Sequence, residues 1–126
     1  MDYIKEAKDF LEEAKEELEK GIREEDKILM RDACEKAWGA VVQLMNALFL
    51  RMGVSPLPKS HRERRIRLSQ LETEDKRLKR KNIVDRFMAR DYILHERAFY
   101  DGDLVVPEIR EEFKKIERLI RDVERI

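Results

Sequence analysis

Apolar residues recur at alternating steps of three and four from the start of the chain, at Ile4, Ala7, Leu11, Ala14 and Leu18. That is the period of a helix with one buried stripe. Asp2 can cap its start and Gly21 can end it. A second helical pattern begins about Arg23 and runs to Met52, where Gly53 and the pair Pro56 and Pro58 stop it. Its first half is one-sided, with Ile28, Leu29, Ala33 and Ala37 as the stripe. Its second half is apolar on most sides, through Ala40, Val41, Leu44, Met45, Leu48 and Phe49, so more than one neighbour must cover it. This helix is expected at the centre of the core or of a subunit interface.

Ser60 followed by Glu63 is a capping box that opens a short basic helix to about Glu72. Thr73, Glu74 and Asp75 repeat the start signal, with acids suited to a helix N-terminus. The helix they open should continue to about Tyr100, where Asp101 and Gly102 close it. Pro107 fits the first turn of a last helix, whose Ile109, Phe113, Ile116, Ile120 and Val123 form its stripe. No stretch alternates with the two-residue period of a strand. Short connections imply antiparallel neighbours, so the pattern predicts one all-α domain over residues 1–126: an antiparallel bundle of about five helices. The one loop of any length is 53–59.

Composition sharpens this. A chain of 126 residues can hide roughly two thirds of the surface its unfolded form would expose, without help from metals or disulfides. At 44% charged and 42% hydrophobic, with clear periodicity, it is a folded domain with a heavily salted surface, not a disordered tail. Asn and Gln occur only at Gln43, Asn46, Gln70 and Asn82, and the Lys/Glu/Arg-rich surface predicts a thermophilic source. Cys34 is the only cysteine, which excludes an intrachain disulfide and a cysteine metal cage, and points to the cytoplasm. No leader pattern opens the chain. The longest apolar cluster, Val41 to Met52, is broken by Gln43, Asn46 and Arg51, so no membrane association is expected. Net charge is zero but uneven: residues 1–36 hold 8 basic against 13 acidic side chains, residues 59–97 hold 13 against 7. The balance argues against indiscriminate nucleic-acid binding. The basic second half leaves room for a local phosphate-facing patch, although lysines and arginines also simply coat exposed helix faces.

Chemistry is sparse. With only His61 and His95, a histidine-rich metal site is excluded, and no H-E-x-x-H, Walker loop, G-x-G-x-x-G or bundle-type Glu-x-x-His pattern occurs, so neither metal nor cofactor is expected. Trp38 and Met45 read as core, Cys34 as a small buried hydrophobe, and His61 as a solvated side chain at the head of an exposed helix. His95 is different. On a continuous helix Asp91 lies one turn before it and could hold the imidazole in place. Arg90 is five residues away, which at about 100° per residue puts the two about 140° apart around the axis. They can cooperate only if the helix breaks near residue 90 or a two-fold axis brings two protomers together. A partly buried histidine paired with Asp91 is the alternative.

The run Arg90-Asp91-Tyr92-Ile93-Leu94-His95, late in an all-helical domain of this size, resembles the R-x4-6-H signature of the HEPN superfamily. Together with Ala33-Cys34-Glu35-Lys36-Ala37-Trp38-Gly39-Ala40-Val41-Val42, and with Leu94-His95 followed by Phe99-Tyr100, it looks like the small archaeal PaREP-type branch, over about residues 5–120. The resemblance implies a helical homodimer and, in many members, a metal-independent endoribonuclease. His95 would then act as acid or base at the ribose 2′-hydroxyl and leaving oxygen, Arg90 would stabilise the phosphoryl group, and Asp91 would orient the pair. Lys79, Arg80, Lys81 and Arg86 are candidate RNA-backbone contacts. Other HEPN domains are not catalytic. The alternatives are a nucleotide-binding pocket without turnover, or a structural or interaction module, for instance one pairing with a nucleotidyltransferase-like protein, in which His95 merely packs.

Overall fold

In the computed structural model, which describes residues 1–126, Asp2 accepts the Lys5 amide at 3.0 Å and opens α1 (Tyr3–Arg23). Its buried residues are the expected stripe of Ala7, Leu11, Ala14 and Leu18, joined by Gly21. Gly21 does not end the helix. It lies where α1 crosses the start of the next helix, and a Cβ there would stand 2.9 Å from Met30 Cγ and 3.1 Å from the Asp26 carbonyl oxygen. The chain turns instead through Glu25, at a φ of 52°. Asp26 then caps α2 (Lys27–Arg51) by accepting the amides of Ile28 and Leu29. The two helices form an antiparallel hairpin with the most extensive packing in the molecule.

The all-round apolarity of α2 is met within the chain. Val41, Leu44, Met45, Leu48 and Phe49 are all fully buried, with α1 on one side and segments from the second half of the chain on the others. Covering this helix therefore does not require a second copy. Two large apolar side chains of α2 stay open: Leu50, half exposed at its C-terminal end, and Ile28, 71% exposed in the first turn, although the stripe expected it inside.

Past Gly53, which takes φ of 75°, the loop leads to α3 (His61–Glu74). Ser60 Oγ accepts the Glu63 amide at 3.0 Å, and the Glu63 carboxylate reaches back to the Lys59 amide at 2.8 Å, one residue earlier than a standard capping box. The single helix expected to reach Tyr100 is instead three pieces. Asp75 caps a five-residue α4 (Lys76–Arg80), Asn82 breaks it at φ 52°, and α5 (Ile83–Arg90) follows. Asparagine tolerates this left-handed conformation better than most residues, and the apolar pattern gave no warning of it. From Asp91 to Tyr100 the backbone continues as a π-helix: the Asp91 amide still bonds to the Phe87 and Met88 carbonyls, whereas at the far end the Asp101 amide reaches Glu96, five residues back. The last helix, α6 (Val106–Glu124), carries Pro107 in its first turn and buries Ile109, Phe113, Ile116, Ile120 and Val123, as its period required. The total is six α-helices and one π-helical segment, with no strand.

One hydrophobic core runs through all of these except the shortest connections. No helix is long and apolar enough to cross a membrane.

Candidate functional site

The switch to a π-helix falls inside the motif. Arg90 is the last residue of α5 and the residue from which the wide ladder opens. The wider turn brings residues five apart closer to one side than an α-helix does, so the local geometry supplies one of the two arrangements by which Arg90 and His95 could cooperate, a departure from a straight α-helix near residue 90. The side chains nevertheless part company. Arg90, 5% exposed, turns to α6 and donates from Nε and Nη2 to Glu112 Oε1 and Oε2 at 3.0 and 3.1 Å. Lys115 joins the same carboxylate at 3.2 Å. A bidentate, buried pair of this kind fixes both partners, and it ties the point where the ladder changes to the last helix.

His95 faces α2. Its Nδ1 lies 2.8 and 3.0 Å from the two carboxylate oxygens of Glu35. A carboxylate only accepts, so Nδ1 carries the proton, and in the neutral ring Nε2 keeps a free lone pair with no protein partner. Asp91, one turn earlier, does not hold this imidazole. It is 4% exposed, and its Oδ2 lies 3.2 Å from Nε2 of His61, while Oδ1 is buried without a hydrogen-bond partner. His61 is thus not merely solvated: its ring stacks on Phe87, with centroids 5.6 Å apart, and leaves its Nδ1 without a protein partner.

Trp38 joins the two halves. Its indole is 5.7 Å from the His61 ring and 5.9 Å from the His95 ring, with Phe87 behind it at 5.2 Å. The only two histidines of the chain, 34 positions apart in sequence, therefore meet across one buried indole, His95 hydrogen-bonded to Glu35 and His61 within ion-pair range of Asp91. Both imidazoles still reach solvent, with 42% of the His61 side chain and 27% of the His95 side chain exposed. Tyr100 sets its edge on His95 at 4.8 Å and is itself largely exposed. Arg31 of α2 fixes that end of the segment, donating to the carbonyl oxygens of Phe99 and Tyr100 at 2.7 and 2.9 Å. These bonds satisfy carbonyls that a helix end would leave open.

The surroundings are unequal in charge. On the α1–α2 flank of Glu35 a groove is lined by Glu13, Glu17 and Asp32, with Lys36 the only cation. On the other flank, α3 carries Arg62, Arg64, Arg65 and Arg67. The four cations expected to meet RNA lie elsewhere again. Arg86 donates to Asp122 of α6 at 2.8 Å, Lys81 lies 3.9 Å from the same carboxylate, and Lys79 and Arg80 are exposed. Arg80, Lys81 and Arg86 stand with Asp122 of α6, the helix to which Arg90 turns. No three His, Cys, Asp or Glu side chains converge as a set of metal ligands. Burial pushes the Cys34 thiol up to about 12, so it is no nucleophile at ordinary pH.

Fold and site together define an all-helical bundle whose polar centre is a pair of histidines, each beside a different carboxylate. The chain belongs to the archaeal PaREP1/PaREP8 family, whose model matches residues 2–120. No curated protein and no solved structure matches it.

Sequence reasoning found His95 but missed Glu35, Trp38 and His61 as its company. One signal was available: Glu35 lies between the buried residues Cys34 and Trp38 on α2, one and three positions away, where a carboxylate needs a donor. Nothing in the sequence said that the donor lay 60 residues away.

Proposed function

We propose that this protein is a HEPN-like, metal-independent endoribonuclease whose site is His95 with Glu35 and His61 with Asp91. One observation carries the reading: two imidazoles, His95 hydrogen-bonded to Glu35 and His61 in ion-pair range of Asp91, present their other nitrogens around a single indole. That is what general acid–base cleavage of RNA requires. His95 Nε2 takes the proton of a ribose 2′-hydroxyl, the 2′-oxygen bonds to phosphorus, and the bond from phosphorus to the 5′-oxygen breaks. Protonated His61 gives its Nδ1 proton to that leaving oxygen. The products are a 2′,3′-cyclic phosphate and a 5′-hydroxyl. Glu35 and Asp91 orient the rings, as the carboxylate of a catalytic triad does. Exposed Tyr100, and Tyr92 beside it on the same segment, offer faces on which bases can stack.

Arg90 has a different role from the one its motif suggests. With its fork spent on Glu112, it positions the π-helical segment and does not touch phosphate. Lys79 and Arg80 remain open for the RNA backbone, and Lys81 and Arg86 would have to release Asp122 first. Neither burial nor the spacing of Arg90 and His95 calls for a second copy, so the site is proposed to be complete in one chain, and a homodimer would pair outside it.

The test is incubation of the full chain with mixed-sequence RNA in EDTA, with analysis of the new ends. His95→Ala and His61→Ala should each lower the cleavage rate by about 10²–10⁴-fold with helicity unchanged by circular dichroism. No cleavage by the wild-type chain, or cleavage that survives both substitutions, sinks the proposal. The acidic groove beside Glu35 favours a second reading, a non-catalytic interaction module for a basic protein partner such as a nucleotidyltransferase-like one. Absence of cleavage together with stoichiometric binding of such a partner would establish that reading instead.

A further inference from the structure

The inward stripe of α3 is His61, Arg64, Leu68 and Leu71, at steps of three, four and three, with the two leucines 1% and 5% exposed. The second member of this stripe is a guanidinium. Residues three apart on a helix have their Cβ atoms about 5–6 Å from one another, which puts Arg64 beside His61, one turn further in. It is half-buried, its Nε is wholly buried without a hydrogen-bond partner, and it takes part in no ion pair, although this chain pairs most of its buried or partly buried cations. Burial holds its guanidinium below its ordinary pKa, and the neighbouring Glu63, whose carboxylate is committed to the Lys59 amide, is the one charge that opposes this. Asp91 does not neutralise it either, because Oδ1 of that carboxylate is also unpartnered.

An unpaired cation drawn out of water is costly, and an anion that arrives from solution removes the cost. Arg90, the arginine named by the motif, is already neutralised by Glu112, so the free positive charge beside the histidines belongs to Arg64. Protonated, His61 can donate from its open Nδ1 to the same ligand. A guanidinium matches the tetrahedral oxygens of a phosphate with two parallel donors, which fixes orientation as well as charge.

We infer that Arg64, with His61, forms a phosphate-binding seat beside the histidine pair, and that this seat takes a phosphodiester of RNA. The inference rests on the proposed cleavage for its biological ligand, but binding at the seat does not depend on catalysis. Approach from the α3 flank also keeps the phosphate away from the acidic groove at Glu35.

Trp38 is the only tryptophan and touches His61, so its fluorescence reports occupancy without a label. The full chain is titrated with inorganic phosphate and, separately, with a 2′-O-methyl RNA tetranucleotide, which cannot be cut because it lacks the attacking hydroxyl. The wild-type chain should bind the oligonucleotide more tightly than phosphate. Arg64→Gln should weaken both by at least tenfold, and Arg64→Lys by less, since it restores the charge without the fork. Arg110→Gln, which removes an exposed cation on the α1–α6 side, should change them less than twofold. Equal affinity for wild type and Arg64→Gln overturns the inference, as does failure of the wild type to bind either probe. If Arg64 is in truth the counter-ion of Asp91, Arg64→Gln and Asp91→Asn will show strong coupling in thermal unfolding and no effect on binding, which also overturns it. His95→Ala separates the two proposals: it should abolish cleavage and leave tetranucleotide binding intact, and loss of cleavage by the wild type alone would leave the seat standing.

Discussion

The hairpin of α1 and α2 keeps one helical period for almost fifty residues, whereas the stretch from Lys76 to Tyr100 changes its backbone geometry three times in half that length. In the hairpin, regularity and burial agree: the stripe of α1 meets a helix that is apolar all round, and glycine at 21 lets the two come together closely. In the second stretch they conflict. It must bury Ile83, Phe87, Leu94 and Ala98 and also hold the buried charges of Arg90 and Asp91. The irregular backbone is where those charges find α6 and α3, and where His95 is turned to α2. Scaffold and chemistry thus occupy separate parts of the chain, joined at Glu35 and Trp38.

The largest effect that would sharpen this contrast is at Glu112. Glu112→Ala strands the buried guanidinium of Arg90 and should cost about 3–5 kcal/mol in chemical denaturation. The double variant Arg90→Met with Glu112→Leu should recover most of the loss, because it removes both desolvated charges together. If the single substitution costs no more than an exposed ion pair, the anchoring of the π-helical segment by this pair is wrong.

A smaller effect concerns the hairpin. The buried Cys34 thiol is raised from 9.0 to about 12, so in that window the unfolded chain has lost its proton and the folded chain has not. Stability should therefore be unaffected by this group below pH 9 and fall above it by about 1.4 kcal/mol per pH unit, levelling off near pH 12. Comparing unfolding of the wild type and Cys34→Ala between pH 8 and 11 isolates the slope. A native thiol that reacts with iodoacetamide at pH 8 as fast as free cysteine would contradict the burial on which it rests.

The smallest effect lies at the first break of the irregular stretch. Asn82 sits at φ 52°, and Asn82→Ala should cost about 1 kcal/mol, while Asn82→Gly should be neutral or slightly stabilising. A stabilising alanine would mean that α4 and α5 can fuse into the continuous helix that the apolar pattern suggested.

That suggestion shows what was readable. Asp2, Ser60 with Glu63, and Pro107 act at the helix ends where short-range hydrogen bonding placed them, and the stripes of the first and last helices bury the residues their spacing selects except the partly buried Ile4, whereas Ile28 of the α2 stripe is exposed. Such features depend on neighbours within a turn. The break at Asn82, the π-helix, and the partners of Arg90, Asp91 and His95 depend on groups 22 to 60 positions away or on another helix, and a local period carries no information about them. His95 was legible as a candidate because histidine is rare here. Its carboxylate was not, because glutamate is common.

The wide ladder of residues 91–100 also makes the spacing of the motif a matter of length as well as identity. A π-helix is what remains when a helix accommodates extra residues without shifting what lies beyond them, so this segment can be viewed as the record of an insertion. Removing one residue between Asp91 and His95 would let the backbone tighten to an α-helix without rotating the side chains beyond it, so the imidazole would keep its place on Glu35 while the interval from Arg90 to the histidine shortened by one. Two sequences of this family could then differ in the spacing of the motif by a single gap and keep the same chemistry.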